Sequence, residues 1–150
     1  MTERVDFYVL KTAAPKQRWA SACRLTEKAY LKNLKVVVLS DTLADAQALD
    51  ELLWTFNERS FVPHKVCSDE KSVDSATPVH LTQDPAAIPT ADLLINLAPR
   101  LPAQLQGYTR IAEVIDADEE RRRLGRERFK AYRDLKLTLE THQIEDTADS

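Results

Sequence analysis

At 150 residues and 43% hydrophobic, the chain is long enough to bury one core of its own, and a single domain follows from the length. The opening MTERVDFYVLK carries Glu3, Arg4 and Asp6 around a short apolar run, which argues against a secretory signal, and no stretch reaches membrane-spanning length. The formal net charge of −3 conceals an asymmetry, because residues 121–133 hold seven basic side chains against Glu127 alone, a net of +6 that leaves −9 on the rest.

Val5 to Leu10 reads as a short buried strand. Pro15 then opens a helix continuing from Lys16 to Leu31, with Trp19, Ala22, Cys23, Thr26 and Tyr30 at helical spacing on its inward face. The continuous run Val36, Val37, Val38, Leu39 suits a central strand covered on both faces. Ser40 or Asp41 is placed to cap a second helix, Thr42 to about Phe56. From Cys67 to Thr90 the chain is polar and broken by Pro78, Pro85 and Pro89, with one strand expected near Val79 to Leu81 and loop elsewhere.

Leu93 to Leu97 and Arg110 to Ile115 read as two further strands. Asp116, Asp118, Glu119 and Glu120 precede the basic residues in the order the helix dipole favours, so a last helix is expected from about Asp118 to about Asp134. The polar, acidic THQIEDTADS then reads as frayed or disordered, able at most to cover the basic helix transiently, giving an α/β domain over 1–136 and a flexible acidic tail over 137–150. Strands alternating with helices predict a single-domain, three-layer α/β fold with a mostly parallel sheet and right-handed crossovers.

Several chemistries find no footing. Only Gly107 and Gly125 occur in the chain, so neither early strand is followed by the glycine-rich turn that brings backbone amides to a phosphate. His64, His80 and His142 show no metal-ligand spacing with one another or with a cysteine, and neither HExxH nor GxSxG is present. No catalytic residue, metal site or cofactor is assigned. Cys23 and Cys67 form no CxxC pair, which suits a reducing cytoplasm with both thiols as small buried apolar filler.

Two segments carry candidate binding residues. In LDELLWTFNERSFVPH, residues 49–64, the stripe Ala46, Leu49, Leu52, Leu53 and Phe56 lies on one helix face and Trp54 points about 140° away from it. Phe61, Val62 and Pro63 follow in a loop or short edge strand. Trp54 and Phe61 either form one exposed apolar patch, of the kind that marks a partner surface, or the loop folds back and covers the indole. In RRRLGRERFKAYRDL, residues 121–135, Arg122, Arg126, Phe129 and Arg133 fall at i, i+4, i+7 and i+11, with Lys130 beside them. Guanidinium groups flanking an aromatic suit a ligand with carboxylates and one apolar side chain, since arginine binds a carboxylate bidentately. The bland alternative is a solvated basic helix paired to the acidic remainder.

The phrases LDELLW, SFVPH and RERFKAYR, in this order and separation, resemble the signature of the DNA polymerase III chi subunit family, and the resemblance extends from FYVL near the start to the last helix. It implies a Rossmann-like fold without catalysis and two binding surfaces. The first, Trp54, Phe61 and Pro63, would hold the psi subunit and so link to the clamp loader; a helicase sharing that surface is a second conceivable occupant. The second, Arg122, Arg126, Phe129, Lys130 and Arg133, would receive the acidic, phenylalanine-terminated C-terminal tail of single-stranded-DNA-binding protein. DNA would then be met only indirectly, and no membrane is involved. Two other readings stay open on the residues alone: direct binding of single-stranded nucleic acid through the arginine-rich helix, and a degenerate nucleotide-binding enzyme.

Overall fold

The computed structural model describes residues 2–57, 61–68, 71, 73–74, 76–88, 90–102 and 105–144. Among them the chain runs β1 (Arg4–Leu10), α1 (Pro15–Leu31), β2 (Val36–Leu39), α2 (Leu43–Thr55), β3 (His64–Val66), β4 (Val79–Thr82), β5 (Ala91–Asn96), β6 (Tyr108–Ile115), α3 (Glu119–Asp134) and β7 (Thr138–Ile144), with 3₁₀ turns at Pro85–Ala87 and Leu105–Gly107. All seven strands pair parallel in the order β3-β4-β2-β5-β6-β1-β7. This is the expected α/β three-layer, Rossmann-like arrangement.

The period-2 alternation of the strands sorts their side chains to two cores. Val36 and Val38 face the α1 and α2 side with Leu10, Ala22, Cys23, Ala46, Leu49 and Leu53. Val37 and Leu39 face the α3 side with Val5, Phe7, Ile111, Ile115 and Tyr132. Both cysteines are buried, and burial pushes the Cys23 thiol up to about 12.

The helix ends follow local chemistry. α1 opens with Pro15 in its first turn and closes at Asn33, whose φ of 63° is one that asparagine tolerates, with Leu34 N–H returning to the Ala29 carbonyl at 3.1 Å. The cap of α2 is Thr42, whose hydroxyl oxygen accepts from Asp45 N at 3.1 Å, and not Ser40 or Asp41. Ser40 instead donates to the Thr42 carbonyl and shapes the approach to the cap. Asp118 caps α3 by accepting from Arg121 N at 3.0 Å.

The expected flexible tail is corrected over its described part. Residues 138–144 are the edge strand β7, in parallel register with β1 from Arg4 opposite Thr138 to Leu10 opposite Ile144. The sequence hides it because an edge strand keeps much of its surface in water and so reads as polar. What holds it is specific. Leu139 packs on the α3 side and Ile144 on the other, and the His142 ring stacks on Tyr8 at 4.8 Å. His142 Nε2 bonds the buried Asp6 carboxylate at 2.9 Å, and Arg4 pairs with both Asp6 and Glu140. The acidic residues 145–150 lie outside the described residues.

Candidate functional site

Two surface features bring together some of the side chains singled out in the sequence. The first is a groove of about 300 Å³ between α3 and the β1–β7 edge, lined by Phe7, Val9, Ile115, Arg122, Gly125, Arg126, Phe129, Thr141 and Gln143. Its floor is apolar because Phe7, Val9 and Ile115 sit on the α3 side of neighbouring strands. Its wall is Phe129, whose ring lies 5.1 Å from Phe7, which in turn meets Tyr132 edge-on at 5.9 Å. α3 comes close to the sheet at Gly125, where a Cβ would stand 2.4 Å from Ile115 Cδ1.

Of the seven cations in residues 121–133, four have partners within the protein. Arg121 donates from Nε and Nη2 to the Asp116 carboxylate at 2.8 Å each. Arg122 donates to the carbonyls of Asp116 and Leu10 at 3.2 Å each, which holds its guanidinium on the groove's edge. Arg123 pairs with Glu120 and Glu127. Arg128, which composition counts as part of a solvated block, is 6% exposed. Its Nε donates to Glu113 Oε1 at 3.1 Å and its Nη1 to the Pro99 carbonyl at 2.9 Å.

Glu113 also accepts from Asn96 at 2.9 Å and from the Tyr132 hydroxyl at 2.7 Å. Burial pushes the Glu113 carboxyl upward, against Arg128, Asn96 and Tyr132, and burial beside Glu113 raises Tyr132. Arg126, Lys130 and Arg133 are exposed and have no hydrogen bond or ion pair from their side chains among the described residues. Arg126 alone of these three lines the groove; Lys130 and Arg133 lie outside its lining. The residues that sequence reading missed are Phe7, Val9, Ile115, Gly125, Thr141 and Gln143. Their strand and helix positions gave no separate signal, since each reads as core or, for the last two, as tail.

The second feature lies at the other edge of the sheet. Trp54 projects from the last turn of α2, 52% exposed, with its ring 5.4 Å from that of Phe61, itself 61% exposed. Phe61 approaches the indole, and both rings face solvent. Pro63, half-buried, joins Phe61 and Val62 to β3. Six interstrand spacings separate β3 from β7, about 29 Å at ~4.8 Å each.

Between these lies the crevice at the carboxyl ends of β2, β5 and β6, the usual ligand position in open parallel sheets. It is lined by Arg18, Asp41, Asp45, Leu97, Asp118, Glu120 and Arg121, among others. Arg18 donates to the Val114 and Leu97 carbonyls at 3.1 and 2.7 Å, with burial holding it down to about 10. Both helix N-termini there carry their own carboxylates, Asp45 on α2 and Asp118, Glu119 and Glu120 on α3. Negative charge at the two helix starts, with no glycine turn, opposes the phosphate of a nucleotide. One His/Asp/Glu group among the described residues, Asp6, Glu140 and His142, is close enough to share a cation. The Arg4 guanidinium already occupies it, bonded to Asp6 and Glu140, so it serves as an ion-pair lock on β7.

The fold and these surfaces define a parallel α/β protein whose distinctive residues form a basic groove at one sheet edge and an aromatic patch at the other. The family model described as "DNA polymerase III chi subunit, HolC" matches residues 1–140. The chain is 33% identical over 141 residues to DNA polymerase III subunit chi of Pseudomonas aeruginosa, covering 94% of this chain and 96% of that protein. It is 26% identical over 145 residues to the Haemophilus influenzae subunit, covering 96% and 99%, and 24% identical over 119 residues to that of Escherichia coli, covering 79% and 80%. The chain therefore belongs to the DNA polymerase III chi subunit family, that of a replication accessory subunit. No helix among its described residues is long and apolar enough to cross a membrane.

Proposed function

We propose that this chain is a non-catalytic adaptor that binds the psi subunit through Trp54, Phe61 and Pro63 and the C-terminal tail of single-stranded-DNA-binding protein through the α3 groove. The observation that carries this reading is Arg126, a guanidinium without a partner among the described residues, at the rim of an apolar-floored groove walled by Phe129. That pairing suits a phenylalanine-terminated acidic peptide: the ring enters the groove and a carboxylate meets the guanidinium. Arg122 borders the same groove, while Lys130 and Arg133 extend positive potential along α3 for acidic residues further from the ring. The exposed Trp54–Phe61 pair supports the psi assignment, because contiguous exposed aromatics are typical of interface anchors.

The bridging role itself is tested by occupancy of both surfaces at once. Purified chain, psi and a fluorescent tail peptide should form one ternary complex on gel filtration, with the peptide's Kd changed less than about threefold by saturating psi, a coupling below ~1 kcal/mol. Displacement of the peptide by psi would overturn the reading. Retention of a single-stranded oligonucleotide by the chain alone at physiological salt would favour direct nucleic-acid binding instead.

A further inference from the structure

His64 ends the SFVPH phrase, and neither proposed surface uses it. It is the first residue of β3, and its side chain is fully buried at 0% exposure although it lies directly behind the most exposed aromatic rings of the protein. Both ring nitrogens face oxygen acceptors, of which a neutral imidazole donates to one side and the imidazolium to both. Nδ1 lies 2.6 Å from the Val62 carbonyl oxygen, in the loop that carries Phe61, and Nε2 lies 3.0 Å from the Asp50 carbonyl oxygen and 3.2 Å from the Asp50 carboxylate, one turn before Trp54 on α2. The ring also meets Trp54, with centroids 4.6 Å apart and the planes tilted by 50°. One side chain thus joins the helix, the loop and the indole.

We infer that His64 is a positioning residue of the Trp54–Phe61 surface, clamping the loop to α2 and supporting the inner face of the indole so that both rings are presented outward in a fixed arrangement. Trp54 needs such support. Its helix position turns it away from the Ala46, Leu49 and Leu53 stripe, and its other ring contact, Phe61, is more exposed than itself. A surface that is rigid before binding avoids the cost of ordering two large side chains on association. The functional part of this inference rests on the reading of the Trp54 surface as the psi site.

Two substitutions separate support from stability. His64→Gln keeps a donor for one carbonyl and loses the ring; His64→Phe keeps a ring against Trp54 and loses both ring nitrogens. In a Trp19→Phe background, leaving Trp54 as the single indole, iodide quenching of its emission should rise in His64→Gln. Affinity for psi should fall roughly tenfold, whereas affinity for the tail peptide stays unchanged. His64→Phe should recover much of the shielding but not the affinity, since the loop is no longer tied to α2. Trp54→Ala is the control. If it weakens psi binding while both His64 variants bind psi like wild type, the positioning role is wrong and the surface assignment stands. If Trp54→Ala leaves psi binding intact, the surface assignment fails, and unchanged iodide quenching in His64→Gln would then overturn the positioning role as well.

Discussion

Glu113 and Arg128 form an ion pair beneath α3, Nε to Oε1 at 3.1 Å, with 0% and 6% of the two residues exposed. The pair turns Arg128 toward β6, while Arg126 and Phe129 border the groove. Removing one partner leaves an uncompensated buried charge, which costs about 3–5 kcal/mol. Glu113→Gln should lower stability by that order in urea unfolding, and the double change Glu113→Leu with Arg128→Met should recover only part of it, because the buried Tyr132 hydroxyl and Asn96 amide then lose Glu113 as their acceptor. A loss below ~1 kcal/mol in Glu113→Gln would show that the pair does not hold the helix.

The fold was largely legible because its signals are local. Unbroken valine runs, helix-start carboxylates and the proline opening α1 each act within a few residues. Glu113 was not legible, since a lone acid in the strand YTRIAEVI gives no hint that an arginine 15 residues later meets it. β7 escaped for the opposite reason: its Thr138, Thr141 and Ile144 carry strand preference, but its hold on the sheet comes from Asp6 and Tyr8, more than 130 residues away. Of the groove, the α3 side was visible as arginine and phenylalanine at helical spacing, whereas Thr141 and Gln143 were lost with the strand.

Gly125→Ala should separate groove from fold. The added Cβ meets the terminal methyl of Ile115, which lines the groove, while alanine in a helix interior gains roughly 0.5–1 kcal/mol over glycine. The melting temperature should therefore change by only a few degrees. Tail-peptide affinity should fall nonetheless, as Ile115 is displaced into the groove. Unchanged calorimetric affinity would place the peptide elsewhere.

The β7 lock should be acid-sensitive. Burial works to raise the Asp6 carboxyl, but the hydrogen bonds from His142 and Arg4 and the charges of Arg4 and Arg110 outweigh it and hold it below the usual carboxylate range. A depressed carboxyl contributes its stability above the unfolded value, about 3.9, and loses it as pH falls through the folded one. The stability gap between wild type and Asp6→Asn should be open at pH 7 and close below about pH 3. A gap that stays constant over that range would mean that Asp6 acts through shape alone.

Trp54→Ala should leave the fold intact, because the side chain is 52% exposed and lies off the α2 core stripe. Thermal unfolding should shift by no more than a few degrees, while the psi complex weakens by ~2 kcal/mol or more, close to thirtyfold. Cooperative unfolding at a much lower temperature would make Trp54 a core residue and remove it from the partner surface.

The most direct test of the adaptor reading is calorimetry of a phenylalanine-terminated acidic tail peptide, and of the same peptide without its last residue, against wild type and Arg126→Ala. One charge-assisted contact is worth ~1.5–3 kcal/mol, so Arg126→Ala should weaken the full peptide roughly tenfold to a hundredfold, and loss of the phenylalanine should weaken it on wild type. Affinity should also fall with added salt yet persist through the apolar anchor, since screening between exposed charges acts over about 8 Å at physiological ionic strength. Equal binding of the two peptides, or full-strength binding to Arg126→Ala, would contradict the account and reduce α3 to a solvated basic face.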